Sequence, residues 1–237
     1  MKWIVLTVVV LLALANADEV SEKRAVLRRT TRQALGSMGG SFLAQTERNI
    51  INNCKKNGLS SSGADDLQVT YSKMKSCMSN TKIFETPKNE FISKMVECSR
   101  AAIKDTKDCL ANDQKYFPEF VLDLAKSMVN YMYDDKDLFK DSEIVGCINN
   151  LGRYTVQIEY IKCLTTVSQR TGDDENIPTS RQEFCRKFIP ATECFPDTLK
   201  HNCASTTKIN KFFDDYSNAI ASPCQGSSIG VKESNYL

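Results

Sequence analysis

The residues best placed to do chemistry are ten cysteines: Cys54, Cys77, Cys98, Cys109, Cys147, Cys163, Cys185, Cys194, Cys203 and Cys224. All lie beyond an N-terminal apolar run that contains none. An even set in an exported chain pairs off, so five disulfides and no spare thiol are expected. The spacing does not say which pairs form, because ten cysteines allow hundreds of connectivities. Acid–base chemistry has one candidate, since His201 is the only histidine and an unperturbed imidazole alone titrates near neutrality. A Ser-His-Asp or Cys-His system would have to use it. Flanked by Lys200 and Asn202, His201 is expected to be an ordinary residue on a helix surface, and no catalytic residue is assigned.

Other chemistry fails on context. Gly226-Ser227-Ser228-Ile229-Gly230 matches the nucleophile-elbow pattern but sits in a polar C-terminal tail, whereas an elbow needs a buried strand before it and a helix after it. A secreted phospholipase would set an aspartate beside its catalytic histidine, where this chain has Asn202. One histidine and cysteines that prefer to pair supply no zinc set. Asp173, Asp174 and Glu175 lack calcium-loop spacing and read as a solvated acidic loop. Neither metal nor cofactor is expected.

The leading run has the parts of a signal peptide: Lys2, an apolar stretch from Trp3 to about Leu14, and Ala15-Asn16-Ala17 as a cleavage site. It is too short to span a bilayer, and no second such stretch follows. A secreted, extracellular protein starting near Asp18, with no membrane span, is therefore expected. The formal charge is +2, with acidic and basic side chains interleaved, which gives no electrostatic case for a nucleic-acid partner. Ten cysteines in 237 residues fall well under the ~8–10% of a minimal disulfide scaffold. The bridges should therefore reinforce a hydrophobic core. No Asn-x-Ser/Thr sequon is present.

The elements that must position these cysteines carry a helical period. Leu67, Tyr71, Met74 and Met78 share a face, as do Phe91, Met95, Cys98 and Ala102, then Phe120, Leu124, Met128 and Tyr131. Ile144, Ile148, Leu151, Tyr154 or Thr155, Ile158, Ile161 and Leu164 predict one helix of about twenty residues bearing Cys147 and Cys163. Ile209, Phe212, Phe213, Tyr216 and Ile220 predict a last helix closed by Pro223 and Cys224. Thr86-Pro87 reads as an N-cap and first-turn proline, and Ser180 with Glu183 as a capping box. Residues 36–41, 58–63, 171–179 and 226–230 read as loops or tail.

The expected fold is all-α, a disulfide-stapled array of six to eight helices. Its expected organisation is a signal peptide over 1–17, a basic N-terminal helix or arm over 18–45, a disulfide-rich helical domain over 46–225 and a disordered tail over 226–237. Cysteine steps in 54–77–98–109 and 147–163–185–194 hint at two related halves. In the arm, Lys23, Arg24, Arg28, Arg29 and Arg32 offer a processing site, a polyanion-binding handle or a charged helix face. Met74, Met78, Met95, Met128 and Met132 are either core filling or the wall of a lipid cavity. The expected function is non-enzymatic: a secreted protein binding or carrying a small hydrophobic ligand, at residues the sequence does not assign. The alternatives are a defence or surface-interaction protein, and a hydrolase using His201.

The cysteine order and its context resemble the insect twenty-seven-kilodalton haemolymph glycoprotein family. The matching residues are Cys54-Lys-Lys-Asn-Gly58, Cys77, Cys98, Cys109-Leu110, Asn130-Tyr131-Met132-Tyr133-Asp134 and Gly146-Cys147. They continue with Cys185, Cys194 and Cys203 at equal spacing, Phe212-Phe213, and Ser222-Pro223-Cys224. The resemblance implies a mostly helical body-fluid protein without established catalysis. It also implies two missing cysteines, one in the stretch from Phe91 to Met95 and one at Met132, a pair that would place that stretch beside Met132. Nematode cysteine-rich secreted helical domains share the closing cysteine rhythm.

Overall fold

The computed structural model describes residues 47–171 and 176–225. Among them are eight α-helices and no strand: α1 over 47–56, α2 Ser61–Met78, α3 Lys88–Cys109, α4 Phe117–Asp134, α5 Ser142–Asn149, α6 Tyr154–Thr171, α7 Arg181–Asn202 and α8 Thr207–Gln225. Short 3-10 turns at Asn112–Gln114, Leu138–Lys140 and Asn150–Gly152 punctuate them. This is the all-α, disulfide-stapled array expected. The segments expected to be a signal peptide, a basic arm, a loop over 36–41, an acidic loop at 173–175 and a tail from 226 lie outside the described residues.

Capping chemistry sets several starts. The Ser180 hydroxyl accepts from the Glu183 N–H at 3.1 Å and opens α7, satisfying a donor that has no intrahelical partner. Residues 58–63 are not all loop: Ser60 caps α2 by accepting from Gly63 N–H at 3.1 Å, and the helix begins at Ser61. Serine competes with the backbone inside a helix but suits its cap and first turn. Pro87, not Thr86, takes the cap position of α3, one residue later than expected and without a side-chain cap.

The single helix expected from Ile144 to Leu164 is two. Helix α5 ends at Asn149, a 3-10 turn runs through Gly152, and α6 restarts at Tyr154. Asn and Gly are poor helix formers, and the restart changes the phase of the buried face. Ile144, Cys147 and Ile148 are buried on α5, while Val156 and Tyr160 take that role on α6. Tyr154, Ile158 and Ile161, expected on the inner stripe, face solvent.

The cysteine pairing is Cys54–Cys109, Cys77–Cys98, Cys147–Cys203, Cys163–Cys194 and Cys185–Cys224. Two nested frames result. Cys54–Cys109 ties α1 to the end of α3 around the inner pair Cys77–Cys98, and Cys147–Cys203 ties α5 to the end of α7 around Cys163–Cys194. The outer spans are 55 and 56 residues. Each frame begins with a short helix, then helices of 18 and 22 residues, then one of 18 or 19. The sets in correspondence are thus 54–77–98–109 and 147–163–194–203. Cys185 leaves the expected second set because it bonds Cys224 on α8, a bridge without counterpart in the first half.

Within the first half α2 packs on α3 and α3 on α4; within the second α6 packs on α7 and α7 on α8. The closing helices α4 and α8 pack on each other and join the halves. Tyr131 of α4 donates to the Phe212 carbonyl of α8 at 2.8 Å, and Ser127 donates to the Ala219 carbonyl at 2.6 Å. One hydrophobic cluster runs through both halves. Phe120 sits edge-on to Phe184 and Phe188 of α7, and Phe139 edge-on to Tyr131 and Phe212. Edge-to-face pairs add about 0.5–1.5 kcal/mol each beyond the area they bury.

Met128 and Met132 are fully buried in this cluster, so these two methionines are core filling. Phe91 and Met95 pack with Val129 in a smaller cluster, and the Phe91 ring lies 6.0 Å from that of Tyr133. The stretch from Phe91 to Met95 therefore lies against the helix that carries Met132, on the Val129 and Tyr133 face, while Met132 belongs to the main core.

Candidate functional site

All ten cysteines are paired, with Cα separations from 5.0 to 5.7 Å. That range is ordinary for a disulfide, and it leaves no thiol nucleophile or thiolate ligand. His201 lies on the last turn of α7 with its side chain 75% exposed. Its Nδ1 is 3.8 Å from Glu159 Oε1, and Asn202 donates to the other Glu159 oxygen at 2.9 Å. Among the described residues no hydroxyl is hydrogen-bonded to the imidazole, and no cluster of three or more metal-ligating side chains occurs.

A groove of about 630 Å³ opens between the α1–α2 turn and the C-terminal end of α3. Its shape starts at Gly58, whose φ of +97° is a left-handed conformation suited to glycine. Gly58 N–H bonds the Lys55 carbonyl at 3.0 Å and Leu59 N–H the Cys54 carbonyl at 3.0 Å, the two bonds of a Schellman cap. Cys54, one residue of that cap, is bonded to Cys109 at the end of α3. The bridge therefore fixes the turn against the opposite wall.

Leu59, Leu67 and Leu110 supply apolar lining; Asp66, Asp105 and Asp108 supply carboxylates. Thr70 donates to Asp105 Oδ2 at 2.9 Å and holds it in place. Neither lysine, arginine nor histidine lines the groove. Such a lining attracts cations and gives an apolar group a surface to cover. Sequence reasoning missed the three aspartates because they come from different helices. The local signal was Asp105 and Asp108, one turn apart on α3.

No helix among the described residues is long and apolar enough to cross a membrane. The fold and its five bridges define a disulfide-stapled, all-α protein of two matched halves. Among known proteins, no family model, curated protein or solved structure matches the chain.

Proposed function

We propose that this is a secreted, non-enzymatic binding protein of extracellular fluid, of the type its resemblance to haemolymph glycoproteins implies. Its ligand is a small molecule with an apolar body and a cationic head. Five disulfides support the extracellular setting, because oxidising compartments are where such bridges form and persist. The observation that carries the ligand class is the groove, where three leucines adjoin three aspartates with no basic side chain. Its volume lies within the ~300–1,000 Å³ of small-molecule sites. The purely hydrophobic cargo expected from the methionines has less support, since Met128 and Met132 are consumed by the core.

Isothermal titration with octylamine, octanoate and octanol tests this reading. Octylamine should bind, more weakly as salt is raised, because exposed charge pairs are screened. The combined Asp66→Asn, Asp105→Asn and Asp108→Asn variant should lose that preference. Equal binding of octanoate and octylamine, or binding of neither, would overturn the ligand class.

A further inference from the structure

Helix α6 turns a row of large apolar side chains to solvent: Tyr154 is 76% exposed, Ile158 47% and Ile161 59%. Steps of four and three residues place them on one helix face. The first half of the molecule contains a control for this face. Leu67 and Tyr71 are buried on α2 as Val156 and Tyr160 are on α6. In that register Asp65 corresponds to Tyr154, Val69 to Ile158 and Ser72 to Ile161. Val69 is likewise exposed, at 51%, but the other two positions on α2 are polar. A helix in this position thus needs no aromatic or aliphatic side chain at Tyr154 or Ile161 for folding. An apolar row kept in water marks an interaction surface.

We infer that this face pairs two copies of the chain, α6 against α6, antiparallel about a twofold axis between Ile158 and Ile161. The charges flanking the row select that occupant. Lys162 lies beside the row, on the same flank as Glu159, and makes no ion pair among the described residues. Glu159 is held by Asn202 at 2.9 Å with its side chain 46% exposed. Antiparallel pairing sets Ile158 over Ile161 of the partner subunit and brings Lys162 to Glu159 of the partner subunit. The symmetry makes each contact twice. A lipid surface would favour a uniformly basic rim, and this rim carries both signs. Three large side chains cover less than the ~800 Å² per partner of a standard interface, so the dimer is weak and forms as concentration rises.

Sedimentation velocity from micromolar to near-millimolar protein tests this. The wild type should shift from monomer to dimer, and Ile158→Lys with Ile161→Lys should stay monomeric throughout. Both positions are exposed, so circular dichroism and the thermal midpoint should not change. Lys162→Glu should weaken association by about tenfold, and adding Glu159→Lys should restore it. A wild type that stays monomeric at every concentration would overturn the inference. So would a dimer indifferent to the isoleucine changes, or one that the double charge exchange leaves as weak as Lys162→Glu alone. A monomer that binds phosphatidylcholine vesicles through the isoleucines would overturn it in favour of a lipid surface.

Discussion

Tyr131 donates its hydroxyl hydrogen bond to the backbone carbonyl of Phe212 across 2.8 Å of buried space. The two residues belong to the closing helices of different halves, and their rings lie 5.9 Å apart. Tyr131→Phe keeps the ring and removes the bond, so it should cost about 0.5–1.5 kcal/mol. Tyr131→Ala removes the ring as well and should cost roughly 3–5 kcal/mol. Urea unfolding of both variants separates the two contributions. Equal costs would mean that the hydrogen bond, not aromatic packing, joins the halves.

The nested bridges make a prediction about additivity. Cys54–Cys109 and Cys77–Cys98 span 55 and 21 residues. By unfolded-chain entropy alone, replacing each pair by alanine should cost roughly 4 and 3 kcal/mol. The inner bridge shortens the loop that the outer one closes, so each single removal costs less than that bridge would alone, and removing both should cost more than the two single removals added together. Denaturant unfolding of the three variants, with non-reducing peptide maps of the remaining bridges, checks this. A combined cost below the sum would show that native-state packing dominates.

Alkaline pH should unfold the protein through its tyrosines. Burial pushes Tyr71 up to about 12, against the opposing effect of its hydrogen bond with Thr106. Burial likewise raises Tyr116, Tyr131, Tyr133, Tyr160 and Tyr216 above the ordinary phenol value. A phenol with a raised folded-state pKa contributes stability that is whole below its unfolded value near 10 and lost as pH climbs through the folded one. Stability should therefore fall above pH ~10, with most tyrosine ionisation coinciding with unfolding. Near-ultraviolet absorbance and circular dichroism, followed together, test this. Ionisation of these six while the helices persist would contradict it.

Helices with an unbroken stripe were legible in the sequence. Phe120, Leu124, Met128 and Tyr131 share one buried face of α4 as their spacing predicts, and Ser180 caps α7 where the sequence places the cap. The reading failed where local rules overlap. Ile158 and Ile161 continue a period counted through Asn150 and Gly152, but the 3-10 turn there resets the helix phase. The serines at 60–62 resemble a loop, yet they form a cap and the first residues of α2. The candidate groove was not legible, because Asp66 lies on α2 and Asp105 and Asp108 on α3, and only the packing of the two helices brings them to one lining.

By itself the sequence determined the helical class, the expectation that no cysteine is left free and the start of α7. Those properties depend on residues within a turn or so of each other, or on the parity of the cysteine count. Tertiary structure decided which cysteines pair, how the two halves correspond, where an acidic groove opens and which apolar row stays in water. Each of these joins residues far apart in the chain, as Cys147 is from Cys203. Packing of whole helices selects such partners, and no local spacing rule encodes them.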